Sequence, residues 1–354
     1  MIDRINGFQH LGVGVKNHEE SWKWFRKYFK MDIPFFNAVA EAPLMDVYTH
    51  GKTINKRAAM VYNLKGGTAM EVVSPVSFDA RPPKEETRLG DIGIYIGTFK
   101  SSDVEASREL FVKDGIPVGD ITKTPDGNKT FFVKDNNGLT YQVIPGENWF
   151  SNMKFPSGGI AGCTVGVKDI EKSLYFYKNL LGFSEVVYDE TGVFEDYSSF
   201  VDGGKGKFRR IKLIQPKPVY GRFSALGGEQ FIELVQSVDD YEVKKIWTGR
   251  IWGDIGFVHL GMDVIGLKSL GKKLADAGHP FTCDTEDVLS MGDSTKVHCT
   301  YIDDPDGILV EMIEVFKIPL VEKWGFYLDL TKKDYKKPLP NLLLKMMRFM
   351  RVKN

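Results

Sequence analysis

Residues 10–31 read HLGVGVKNHEESWKWFRKYFKM, and residues 162–183 read GCTVGVKDIEKSLYFYKNLLGF. At a constant offset of 152, both segments carry the tetrapeptide VGVK, at 13–16 and at 165–168, and Ser21 stands opposite Ser173. A second pair runs in step with the first. Residues 90–117 read GDIGIYIGTFKSSDVEASRELFVKDGIP and residues 253–280 read GDIGFVHLGMDVIGLKSLGKKLADAGHP, at an offset of 163 and with GDIG opening both. A chain that repeats itself in this way is built from repeated units, and those units decide its architecture.

Each unit has the same grammar. A short apolar segment opens it (Phe8 to Val15, Ile92 to Ile96, Ile160 to Val167, Phe257 to Met262) and reads as a strand. A helix-period segment follows, with Trp22, Phe25 and Phe29 on one face of the first unit. Leu174, Tyr177 and Leu181 form the stripe in the third unit, and Leu267, Leu270 and Leu274 in the fourth. These stripes are expected to pack on a sheet. Further strands close each unit at Ala69–Val73, Thr140–Ile144, Phe231–Val235 and Ile308–Ile313. The turns Asp135 to Gly138 and Asp304 to Gly307 mark the last hairpins of units two and four. The order is βαβββ, four times over. The expected fold class is α+β, with two curved, barrel-like mixed sheets and the helices outside. The stretch from Glu147 to Gly159 divides the chain into a first half, 1–147, and a second half, 157–317, followed by a basic extension, 318–354.

Composition narrows the function. The 354 residues hold 47 basic and 47 acidic side chains, so the basic surplus that phosphate contacts demand is missing and no nucleic-acid partner is expected. No apolar run reaches the length of a membrane span, and charges interrupt the N-terminal stretch where a signal peptide would be apolar. The three cysteines, Cys163, Cys283 and Cys299, are too few for a disulfide framework and have no CxxC spacing. A cytoplasmic protein, monomeric or dimeric and acting on a small molecule, is the expectation.

Four βαβββ units, a His on the opening strand and a closing DPDG followed by Glu311 resemble the vicinal oxygen chelate superfamily over residues 5–316. That group includes glyoxalase I, bleomycin-resistance proteins and extradiol dioxygenases. The chain most resembles a fused, four-unit glyoxalase I-like protein. The resemblance implies that each unit can offer two metal ligands, one from its first strand and one from its last. Unit one offers His10 and Glu71, and unit four offers His259 and Glu311. Unit two has Ile96 and Gln142 at the matching positions, and unit three has Gly162 and Glu233. A glycine and an isoleucine bring no donor atom, and one amide with one carboxylate is a poor divalent site. One metal site between units one and four is therefore expected, with a degenerate twin between units two and three. Fused chains of this kind are also expected to pair their first and last units. His18, His50, His279 and His298 fall outside the pattern; His18 reads as a helix-start residue and His279 as a loop residue before Pro280.

Two imidazoles and two carboxylates suit one divalent ion: Zn, Ni, Co, Mn or Fe(II). In an octahedral shell they leave two adjacent positions, which fits two vicinal oxygens of a substrate. Glu71 and Glu311 are also the candidate catalytic bases. The resemblance thus points to a metal-dependent lyase or isomerase working through an enediolate-like intermediate. An Fe(II) extradiol-type or hydroxyphenylpyruvate-type dioxygenase and a bleomycin-resistance-like binding protein are the alternatives. Two basic features stand apart from the site. Lys205, Lys207, Arg209 and Arg210 read as a solvated hairpin around Gly203 and Gly204. Residues 331–354 carry eight basic residues and one acid, with Leu342, Leu343, Met346, Met347 and Met350 on one helical face. That pattern suits a C-terminal helix packed on its own domain, and leaves open contact with an anionic membrane surface or a partner.

Overall fold

The computed structural model describes residues 3–353 apart from 218, 292–294, 322–324, 332–333 and 335–336. The described residues form two curved mixed sheets, one of ten strands and one of eight. The first sheet runs, edge to edge, Cys283–Asp284, Thr295–Asp303, Leu309–Val321, Gly256–Ile265, Arg4–Gly14, Ala69–Pro75, Asn55–Tyr62 and Ile33–Glu41. Leu289–Met291 and Phe326–Asp329 add to it by pairing with Thr295–Asp303 and Leu309–Val321. The second sheet runs Glu185–Gly192, Phe208–Ile214, Phe231–Ser237, Ser157–Gly166, Gly93–Ser101, Thr140–Pro145, Lys129–Lys134 and Thr122–Lys123. Modules one and four therefore build the first sheet, and modules two and three the second. Each sheet takes one module from each half of the sequence. Within a module the first and last strands pair in parallel, and across the middle of each sheet the two opening strands pair antiparallel.

Strand alternation sorts the side chains. Leu11, Val13, Met70, Val72, Leu260, Met262, Val310 and Met312 point into a core shared with Phe25 and Phe29 of the helix His18–Phe29 and with Leu267, Leu270 and Leu274 of the helix Leu267–Asp276. Asn17, Asp103 and Asp169 cap their helices by accepting backbone N–H groups. The helix Leu267–Asp276 of unit four has Gly266 at its N-cap, which has no side chain for the task. Its Gly266 and Leu267 N–H groups are taken by the Glu314 carboxylate at 2.9 and 3.0 Å, from the strand beneath.

The GDIG repeats join the two halves. Asp91 accepts the Lys244 N–H at 3.0 Å, and Ile92 N–H donates to the Lys244 carbonyl at 2.7 Å. Asp254 and Ile255 treat Arg81 in the same way, at 2.9 and 3.0 Å. Each half thus grips the other's inter-module connection. The carbonyls of the same two aspartates crowd the glycines of the VGVK repeats. A Cβ on Gly14 would lie 2.0 Å from Asp254 O, and one on Gly166 would lie 1.9 Å from Asp91 O. The repeated glycines are therefore required by backbone approach. Gly166→Ala is expected to lower stability by about 1–3 kcal/mol or more, as overpacking in a rigid interior does, read as a shift in the denaturant midpoint.

The C-terminal extension folds back on the first sheet. Leu339, Leu344 and Met347 are buried with Ile33, Met60, Tyr62 and Ile318, and Arg351 pairs with Asp32 at 3.2 Å. The helix Asn341–Met346 turns Leu344 inward and leaves Leu342 74% exposed, so the buried face is rotated from the one read from the sequence. Lys332, Lys333 and Lys336 of the basic run lie outside the described residues. No described helix is long and apolar enough to cross a membrane.

Candidate metal centre

His10 and His259 sit on the two central antiparallel strands of the first sheet, and Glu71 and Glu311 on the strands that flank them. In each module the Glu pairs with the residue two beyond the His: Gly12 with Glu71 and Gly261 with Glu311. All four side chains leave the same face and are buried. One donor atom from each lies within 4.8 Å of every other. His10 Nε2 and His259 Nε2 are 2.8 Å apart, and His10 Nε2 is 3.1 Å from Glu311 Oε2 and 4.0 Å from Glu71 Oε2. His259 Nε2 is 3.3 Å from Glu71 Oε2 and 3.5 Å from Glu311 Oε2. Donors that each reach one ion at about 2.0–2.2 Å stand at about these separations, so the set fits a single divalent cation.

Two residues that the sequence reading passed over make this convergence feasible. A Cβ on Gly12 would lie 2.4 Å from the His259 ring, and one on Gly261 would lie 2.1 Å from the His10 ring. Each imidazole lies over the glycine of the neighbouring strand. The signal was present, since His-Leu-Gly occurs at 10–12 and again at 259–261.

The outer carboxylate oxygens have partners of their own. Tyr301 Oη donates to Glu311 Oε1 at 2.6 Å, and Lys56 Nζ lies 3.6 Å from Glu71 Oε1. Burial opposes ionisation of both acids. Lys56 and the two imidazoles outweigh it at Glu71, and hydrogen bonding and charge from the imidazoles outweigh it at Glu311, so both carboxyls are held below the usual range. Both are therefore carboxylates near neutral pH, the form that a metal ligand or a base requires. Glu71 and Glu311 open onto a cavity of about 70 Å³, and Glu311 also lines an adjoining one of about 410 Å³. His18 does begin a helix and His279 does sit in the loop before Pro280. His298 pairs with Asp284 at 2.6 Å.

In the second sheet the equivalent positions hold a different arrangement. Thr98 pairs with Gln142 and Thr164 with Glu233, so Ile96 and Gly162 occupy the histidine positions. The two platform glycines have become threonines. The space beside Gly162 is taken by Phe231, whose carbonyl oxygen would be 2.3 Å from an added Cβ. Glu233 accepts from Thr164 at 2.9 Å, from Tyr197 at 2.6 Å and from Tyr188. It is also bound by Arg210, whose Nε is 2.9 Å from Oε1. Arg210 is fully buried, pairs with Asp196 at 2.8 Å and lies over the Tyr197 ring at 3.7 Å. A solvated hairpin is therefore the wrong reading of this residue. Strand alternation sends Arg209 outward to Asp189 and Glu171, and Arg210 inward to two buried acids. A guanidinium supplies the positive charge on this side.

A family model for the Glyoxalase/Bleomycin resistance protein/Dioxygenase superfamily matches residues 159–312. Residues 159–312, in the second half of the chain, are similar to this superfamily. Two solved structures share the fold of this chain. A putative dioxygenase from Bacillus subtilis aligns with a TM-score of 0.57 at 14% identity, over 88% of this chain and 86% of that one. Glyoxalase I from Zea mays aligns with a TM-score of 0.53 at 14% identity, over 88% of this chain and 92% of that one. Among curated proteins no sequence matches. The His/Glu group of the first sheet is a cluster that could hold a metal ion.

Proposed function

We propose that the chain is a metal-dependent lyase or isomerase of the glyoxalase I-like type, with one divalent ion held by His10, Glu71, His259 and Glu311. The observation that carries this reading is the buried convergence of two imidazoles and two carboxylates, with the two carboxylates lining a cavity. When bound there, the ion acts as a Lewis acid toward two adjacent oxygens of a small-molecule substrate. The protein's part is proton transfer and exclusion of water. Glu71 or Glu311 takes a proton from the carbon beside the oxygens, and the carboxylate across the site returns it, by way of an enediolate-like intermediate. Tyr301 and Lys56 hold the outer oxygens and so orient each carboxylate. The second carboxylate favours this chemistry over an Fe(II) dioxygenase, whose site needs only one.

The test is turnover of metal-loaded protein in deuterated water. Deuterium entering the substrate at the carbon beside the two oxygens is the expected result. Consumption of dioxygen without that exchange would establish the dioxygenase alternative. Tight binding with no turnover would establish a sequestering protein.

A further inference from the structure

The walls of the cavity above the His/Glu cluster define the ligand more narrowly than the cluster does. Phe35, Phe36, Leu44, Met45, Val297 and Cys299 line it. Among the described lining residues of both pockets Lys56 is the only basic side chain, against the acids Glu41, Glu71 and Glu311. Lys56 comes from the strand Asn55–Tyr62 and is held between Glu71 Oε1, at 3.6 Å, and the Trp252 ring, at 4.8 Å. Its neighbour Arg57 is committed elsewhere, to Glu19 at 3.1 Å. A ligand with two carboxylates, such as a tripeptide thiol conjugate, would find one cationic partner among the described lining residues, and its second carboxylate would lose hydration without gaining another. A compact apolar body finds about 410 Å³ of largely apolar space, within the ordinary range for small-molecule sites.

We infer that the substrate is a compact aryl or branched-alkyl compound with two adjacent oxygens and at most one negative charge, and that Lys56 reads that charge. This rests on the His/Glu cluster being the ion site. It adds a ligand class, and it makes Lys56 a specificity-determining residue. The ammonium is close enough to Glu71 to meet an anionic group bound beside the cluster, and the described lining residues include no second cation to take a further carboxylate.

The experiment is isothermal titration of metal-loaded protein, its metal content measured first, with three probes: 1-phenyl-1,2-propanedione, phenylpyruvate and S-lactoylglutathione. The first two should bind at least tenfold more tightly than the third. At matched metal content, Lys56→Met should weaken phenylpyruvate at least tenfold more than it weakens the neutral dione, and Lys56→Arg, which keeps the positive charge, should restore the preference for phenylpyruvate. Ala40→Trp, on the exposed rim of the cavity, should weaken both aryl probes and leave metal content unchanged. Equal or tighter binding of the glutathione thioester, or a Lys56→Met effect that is the same for the neutral and anionic probes, would overturn the inference. Protein that holds no metal would defeat the reading of the cluster instead. The wall preference is then read by displacement of anilinonaphthalene sulfonate by the same three probes, and the same order is required.

Discussion

Arg210→Met is expected to cost about 3–5 kcal/mol of stability, the scale for removing one partner from a buried ion pair. The loss would appear as a lower denaturant midpoint. Glu233 and Asp196 would both remain buried without their shared cation. The neighbouring tyrosine hydroxyls can satisfy Glu233 oxygens as hydrogen-bond donors but cannot neutralise the charge. Glu233→Gln removes one of the two negative charges and preserves shape, so it should cost less. A combined Arg210→Met, Glu233→Gln, Asp196→Asn chain should regain part of the loss, because no uncompensated charge remains. The metal content of all of these variants should match the wild type, since Arg210 belongs to the other sheet. An Arg210→Met chain as stable as wild type would show that the buried guanidinium network contributes nothing to the fold.

The second large effect is catalytic. Glu71→Gln and Glu311→Gln should each reduce turnover by about 10²–10⁴-fold, the usual contribution of a positioned acid or base. A carboxamide fills the same space, and at Glu311 its oxygen can still accept a hydrogen bond from Tyr301, but it cannot take the proton. Substrate binding should therefore fall much less than kcat, and comparison of kcat with kcat/KM separates the two losses. Wild-type turnover in both variants would remove the carboxylates from the proton path. A rise in KM with unchanged kcat would reduce them to binding groups.

The repeat was legible because its residues answer to backbone geometry. VGVK and GDIG recur because Gly14 and Gly166 must admit the carbonyls of Asp254 and Asp91, and because each aspartate must grip the other half of the chain. The four cluster residues were legible through the resemblance, because each stands at the first-strand or last-strand position of its unit, His10 and Glu71 in unit one and His259 and Glu311 in unit four. What the sequence hid depends on contacts between distant residues. Arg210 looks like one member of a surface cluster until the strand Phe208–Ile214 is placed in a sheet and its partners Asp196 and Glu233 arrive from other elements. Lys56 gave no signal, because its meaning lies in its distance to Glu71. The C-terminal helix kept its amphipathic character, but its first turn follows Pro340, and the docked orientation buries Leu344 where helical periodicity alone had put Leu342.

The most direct measurement of the central claim is elemental analysis of the purified chain, wild type beside His10→Ala and His259→Ala, after exposure to a divalent metal and removal of the excess. Two imidazoles and two carboxylates in the first sheet, opposite a guanidinium-filled twin in the second, predict one ion per chain in the wild type and strong loss in both variants. Two ions per chain, or one ion retained in both variants, would contradict it.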